Sequence, residues 1–379
     1  MTNQLTMHNA TKSDAASLYG MSVDDIADRL AVMQHQESTS YRSVDYLRCS
    51  SPPSLSTSYC RADNNNSSDS SSLLREAILS QEHGQSRNKM CQWCYQLTDI
   101  CKLSRHAVAR SMNYLDRFLA TTHERAQRSL VDRREYQLAA MATLYLSIKL
   151  HEPLAMDASL LAEISQGCYT TEEIVSMEKS ILEALEWRMN GPTPQEYVSL
   201  YLGLLDPRGY AYDLDTLGSL LDVSTFQCEL AAGDYDLSIL CTPSIVALGS
   251  ILNSLEGMDK ELLSPEARYD FMTRVCASLS LPNNNVDMVQ VGYVQWMLRR
   301  LFCRNSGVDL PSQEMMPDGG IINEMACGSS CSSDGNMTEN RTRGSNNKMD
   351  QQQISCVDVK CSSPVSVVVA RRYSRLDRM

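Results

Sequence analysis

The chain has 379 residues, enough for one large folded unit or two smaller ones with tails. A formal net charge of −12 argues against a general binder of nucleic acid or of anionic membranes, and no run approaches the roughly 18 apolar residues of a membrane span. The first residues lack the basic-then-apolar pattern of a secretory leader, and the 14 cysteines show no paired spacing, so the chain reads as a nuclear or cytoplasmic protein with reduced thiols.

Residues 1–72 read as a mostly disordered tail. Within it Ser22 can cap a short amphipathic helix, with Asp24 and Asp25 in the first turn and Ile26, Leu30 and Met33 on one face, loosely docked or held for a partner. From Gln36 to Ser72 the chain is Ser/Asn/Pro-rich (SSPPSLSTSY, NNNSSDSSS), a composition too polar to bury a core.

Periodic segments follow. Helices are predicted at Leu73–Glu82, Arg87–Lys102, Ser104–Ala120, Arg134–His151, Asp157–Ser165 and Glu172–Trp187, with Ser104, Asp157 and Thr171 as caps. Gly191-Pro192 is a breaker that closes this unit. A second helical unit holds Pro194–Leu205, Leu214–Ser224, Ser244–Ser254, Pro265–Leu279 and Asp287–Cys303, with Pro243 and Pro265 at helix starts. No convincing period-2 run precedes Val308, so both units are expected to be all-α. Residues 304–379 turn Gly/Ser/Asn-rich again and read as a disordered tail, with Val365–Ala370 as a short apolar exception.

The stretch 134–187 is the most informative. Leu138, Met141, Ala142, Tyr145 and Ile148 keep one helical rhythm, and Ile174, Met177, Ile181 and Leu185 keep another. Lys149 ends the first helix, and Glu178 lies beside Met177 on the apolar side of the second. A charge on an apolar stripe is costly unless paired, so Lys149 and Glu178 are expected to meet. In LDRFL (115–119), Asp116 is either an exposed charge or a buried one needing a cation, for which Arg87 is a candidate; periodicity does not decide between them.

Enzyme signatures are not found. No phosphate loop, dinucleotide fingerprint, nucleophile elbow or HExxH occurs, and no carboxylate pair is marked out as an acid/base couple. Cys91-Gln-Trp-Cys94 has no second CxxC to complete a zinc site and no β-α-β setting for redox chemistry, so it reads as thiols on a helix with Trp93 turned inward. Neither a metal nor a cofactor is expected.

Taken together these residues resemble the cyclin family. The likeness rests on LDRFL (115–119), LAAMATLYLSIKLHE (138–152), MEKSILEALEW (177–187) and PTPQEYV (192–198), with Arg87, Asp116, Leu138, Lys149 and Glu178 at the box's characteristic positions. The resemblance implies an all-α fold of two tandem five-helix repeats, with a cyclin box at 73–191, a cyclin-like unit at 192–303 and disordered flanks. It implies a non-enzymatic subunit that binds and activates a cyclin-dependent protein kinase through Lys149 and Glu178. Arg87 and Asp116 would form an internal bridge, and Leu138 and Trp93 would belong to the core of the box.

Other features qualify the resemblance. The family's substrate-docking patch corresponds to Met90, Trp93, Tyr136 and Gln137, but Ser86 and Lys89 replace apolar residues beside it, which weakens it. The LLREAIL helix (73–79), the stretch PLAMDASLLAEISQGCYTTEEIVSMEKSILEALEWRMNGPTPQEYV (153–198) and the lack of an Arg-x-x-Leu destruction box in the tail before the box look nearest to D-type cyclins, which implies action at the G1/S transition. Kinase substrates and the ubiquitin machinery are further partners the family implies. The alternatives are a transcription-type or nutrient-signalling cyclin, or a cyclin-fold scaffold without a kinase.

Overall fold

The computed structural model describes residues 21–47, 69–153, 156–205, 214–259, 261–279 and 288–306, all within the unit Met1–Glu314. Every regular element among them is helical: α1 (Val23–Ser38), α2 (Asp69–Cys101), α3 (His106–Leu119), α4 (Glu124–Val131), α5 (Arg133–His151), α6 (Ala158–Ile164), α7 (Thr171–Ala184), α8 (Pro194–Leu202), α9 (Leu214–Gly233), a π-helical turn (Asp236–Leu240), α10 (Pro243–Gly257), α11 (Pro265–Leu279) and α12 (Met288–Ser306). The first repeat runs from α2 to α7, with the short α4 added to the five helices expected, and the second comprises α8 to α12.

Each repeat is built around one central helix. In the first it is α5, which packs on α3, α4 and α7. The sequence rhythm implied a single buried face, but residues 138–148 are buried all round. Small residues explain this. Ala139, Ala140, Ala142, Thr143 and Ser147 let neighbouring helices approach, and the hydroxyls find partners: Ser147 donates to the Ala107 carbonyl (2.8 Å) and Ser111 to Thr143 (3.1 Å). The hub of the second repeat is α10, which contacts α8, α9 and α12. Gly249 sits against α12 so closely that a Cβ would lie 2.7 Å from Val294 Cγ1, and only glycine fits there.

Capping fixes several boundaries. Asp132 accepts from Arg134 N–H to start α5, and Asp157 accepts from Ser159 N–H to start α6. Thr170, not Thr171, caps α7, in a reciprocal box with Glu173. Thr193 and Glu196 repeat that box at α8, with Pro194 in the first turn. Ser104 accepts from His106 N–H (3.3 Å), one residue outside the N-cap position of α3.

Four expectations change. The helices predicted at 73–82 and 87–102 are one helix, α2, because Gly84 is carried through without a break; an interior glycine costs only about 1 kcal/mol. Helix α7 ends at Ala184 rather than Trp187, and Glu186 and Trp187 both take positive φ (51° and 61°) as the chain turns out. Helix α9 continues past Ser224 to Gly233, since the Ser224 hydroxyl is buried and donates to Ser254 (2.9 Å). The largest change is at the N-terminus. Residues 21–47 are not a disordered tail but a packed strap, with Ile26 and Leu30 buried in the core of the second repeat and Tyr46 buried further along. Residues 48–68 and 307–379, including Val365–Ala370, lie outside the described residues.

Candidate functional site

Helices α5 and α7 pack against each other, and the last turn of α5 meets the middle of α7 to bring together the two charges singled out in the sequence. Lys149 Nζ donates to Glu178 Oε1 at 2.8 Å. Lys149 is 53% exposed, whereas Glu178 is 9% exposed. The ammonium also stands 5.5 Å from the centroid of the Tyr145 ring one turn earlier on α5. The bond to Glu178 holds the Lys149 ammonium above its ordinary range, despite a smaller opposing effect of desolvation. Exposed Leu150 and Val175 flank the pair. An outward-facing ammonium has three donors, and Glu178 takes one. The geometry is that of a charge pair with hydrogen-bonding capacity left over, with an exposed aliphatic residue near each partner in the chain.

The second predicted pair is also formed, and it is internal. Arg87 of α2 pairs with Asp116 of α3, both almost fully buried. Arg87 also donates to the Ala232 carbonyl of α9 (3.0 Å), so the guanidinium ties three helices from both repeats. Tyr46 of the strap donates to Asp116 Oδ1 (3.4 Å). Burial opposes the Arg87 charge, but Asp116 and its neighbours outweigh burial and hold the guanidinium protonated. This settles the choice that periodicity left open at LDRFL: Asp116 is buried and paired.

Leu138 lies in the core, but Trp93 does not. The buried stripe of α2 runs through Arg87, Cys91, Cys94, Leu97 and Thr98, at helical spacing, and Trp93 falls beside it, half-buried. Of the patch residues, Met90 and Trp93 are half-buried on α2, and Tyr136 is buried on the neighbouring α5. Gln137 Oε1 accepts from the Tyr169 hydroxyl (3.3 Å), so its carbonyl is engaged within the fold. Cys91 and Cys94 are buried thiols, and burial pushes Cys91 up to about 12.

Sequence reasoning passed over a further network. Arg105 donates from Nε to both oxygens of Glu229 (2.9 and 3.0 Å), from Nη2 to Glu229 Oε2 (2.8 Å) and from Nη1 to Asp99 (2.7 Å), and its guanidinium lies 4.4 Å from the Tyr95 ring centroid. It joins α2 to α9 across the repeats. The signal was present: Glu229 interrupts the apolar run around Leu230 as Glu178 interrupts its own.

Comparison with known proteins agrees with this architecture. Residues 56–190 match the cyclin N-terminal domain family. Similar proteins include G2/mitotic-specific cyclin-2 of Antirrhinum majus, 29% identical over 162 residues (43% of this chain, 33% of that protein). Cyclin-A1-4 of Oryza sativa subsp. japonica is 27% identical over 165 residues (44% and 43%), and G1/S-specific cyclin-E1 of Gallus gallus is 27% identical over 133 residues (34% and 31%). The matched segment thus spans less than half the length of each of these relatives. Among solved structures, a viral cyclin from herpesvirus saimiri superposes with a TM-score of 0.45 at 18% identity, over 59% of this chain and 88% of that one. The helical repeat assembled around α5, with Lys149–Glu178 and Arg87–Asp116 both paired, falls within residues 56–190, the stretch that is similar to the cyclin N-terminal domain family.

Proposed function

We propose that this chain is the non-catalytic regulatory subunit of a cyclin-dependent protein kinase and controls cell-cycle progression. The observation that supports the reading is the Lys149–Glu178 pair on the cyclin box, whose buried carboxylate positions an exposed ammonium with unused hydrogen-bond donors. A kinase whose C-helix is rotated out cannot pair its strand lysine with the C-helix glutamate. A rigid surface that binds only the rotated-in helix moves that equilibrium by its differential affinity and supplies no catalytic atom. Leu150 and Val175 would cover apolar surface beside the C-helix, and the pair would complete its bonds to backbone groups there.

The finer reading is action at the G1/S transition, in the nucleus or cytoplasm. It is supported by the D-type look of residues 73–79 and 153–198; the relatives named above include both mitotic and G1/S classes. The decisive experiment is co-purification of cyclin-dependent kinases with the wild-type chain, Lys149→Ala and Glu178→Ala, followed by a histone kinase assay. Capture and activation by wild type, lost in both variants while their circular dichroism stays native, is the expected result. Failure of the wild-type chain to recover any kinase would overturn the proposal and leave a cyclin-fold scaffold.

A further inference from the structure

The strap deserves a reading of its own, because it touches both repeats. Helix α1 sets Ile26 and Leu30, one turn apart, into the core of the second repeat. Beyond it the chain crosses to the first repeat. The Tyr41 ring lies over the Arg117 guanidinium (4.7 Å) and against Gly191, where a Cβ would come within 2.7 Å of Tyr41 Cδ1. Asp45 Oδ1 accepts from the Tyr235 hydroxyl (3.0 Å), and Tyr46 packs edge-on to Tyr235 (5.3 Å) while reaching Asp116.

Midway along this path is a carboxyl group in an unusual position. Glu37, at the end of α1, is buried. Its Oε2 accepts from Ser244 N–H (3.1 Å) and its Oε1 from the Ser244 hydroxyl. Ser244 is the second residue of α10, so the carboxyl meets the positive end of that helix. From α8 the hydroxyl-bearing Tyr197 and Tyr201 face it, and from its own helix buried Gln34 lies one turn back. Among the described residues no lysine, arginine or histidine forms an ion pair with Glu37. A buried carboxylate held by one amide, the Ser244 hydroxyl and a helix end lacks the countercharge that would make ionisation cheap.

We propose that residues 22–47 are a proton-sensitive strap, held tightly across both repeats when Glu37 is protonated and loosened when Glu37 ionises. Burial, only partly offset by Ser244 and Tyr197, pushes the Glu37 carboxyl from an ordinary 4.5 up to about 7. An acid whose value is higher in the attached state takes up a proton on attachment. The stabilisation is therefore full at acidic pH and is lost as pH rises through 7. For these two values the attachment equilibrium weakens about tenfold between pH 6 and pH 8. Loosening would withdraw Tyr41 from Arg117 and Tyr46 from Asp116, both on α3, so the protonation of one carboxyl in the strap reaches the internal bridge of the box.

The test is hydrogen exchange of the full chain, read by mass spectrometry at pH 6 and pH 8 and corrected for intrinsic exchange rates. Peptides from residues 22–47 should open about tenfold more often at pH 8, and peptides from α5 should not change. Glu37→Gln, which mimics the protonated side chain, should keep the strap protected at both pH values. Equal opening of the wild-type strap at the two pH values, or a pH dependence that survives Glu37→Gln, would overturn the proposal. Should that variant fail to fold, the wild-type carboxyl titration by carbon-13 NMR decides: a midpoint near pH 7 supports the strap, and one below about pH 5.5 refutes it.

Discussion

Removing the cation from the internal bridge should destabilise the fold far more than removing the whole bridge. In Arg87→Met the buried Asp116 keeps only its bond from Tyr46, and the Ala232 carbonyl loses its donor. A buried charge deprived of its partner costs about 3–5 kcal/mol, a large part of the roughly 5–15 kcal/mol that holds a typical folded unit together. The double variant Arg87→Met/Asp116→Leu leaves no charge behind and should recover most of the loss. The sign of the pH dependence adds a second signature. Without Arg87, Asp116 escapes its penalty by taking up a proton, so the deficit of the single variant should shrink from pH 8 to pH 5. Urea unfolding followed by far-UV circular dichroism measures all of these quantities. An Arg87→Met variant within 1 kcal/mol of wild type at pH 8, or a double variant as unstable as the sum of the singles, would refute the reasoning.

Three further outcomes are expected. Glu178→Ala should change stability by less than about 1 kcal/mol in the same urea titration, because it leaves behind only a half-exposed ammonium that water can solvate. Ile26→Ala should cost about 2–4 kcal/mol, since its side chain is buried with the second repeat's core; no loss would return the strap to the status of a loose tail. Under native maleimide labelling read by mass spectrometry, exposed Cys168 should react before buried Cys91, Cys94, Cys228 and Cys241, which wait for denaturant; early labelling of Cys94 would mean that α2 packs otherwise.

Most of what was legible in the sequence is local. Helix identity, the cap at Asp157, the helix start at Pro243 and the rhythm of α5 follow from interactions within a few residues. The Lys149–Glu178 pair was legible for a different reason: a charge on an apolar stripe must find its opposite, and the two helices that carry them are near neighbours in the chain. Arg87–Asp116 was harder, because spacing alone leaves Asp116 either in or out. The strap was legible only as a helix: Ser22 caps it and Ile26 and Leu30 share its buried face as the pattern implied, but where it docks was not legible. Glu37 bonds to a residue 207 positions away, and Asp45 to one 190 positions away. A segment with two buried aliphatic residues in a polar context carries no compositional sign that a distant groove will receive them. The same holds for the length of α2, where Gly84 reads as punctuation but costs too little to stop a helix that its neighbours hold.

The ion pairs of this chain differ in what their burial allows them to do. Arg87–Asp116 is closed off from water, and Arg105–Glu229 is mostly so; both lie where the first repeat meets α9, and both use several of their donors within the chain. Such pairs are expensive to break and fix how the repeats meet. Lys149–Glu178 differs in one respect that matters: its anion is buried and its cation faces outward. The buried glutamate fixes where the lysine stands, and the lysine retains donors that the fold does not use. Removing this pair should therefore leave the fold almost unchanged while abolishing whatever the exposed face binds. A large loss of stability in Glu178→Ala without any loss of kinase capture would place it with the internal bridges instead.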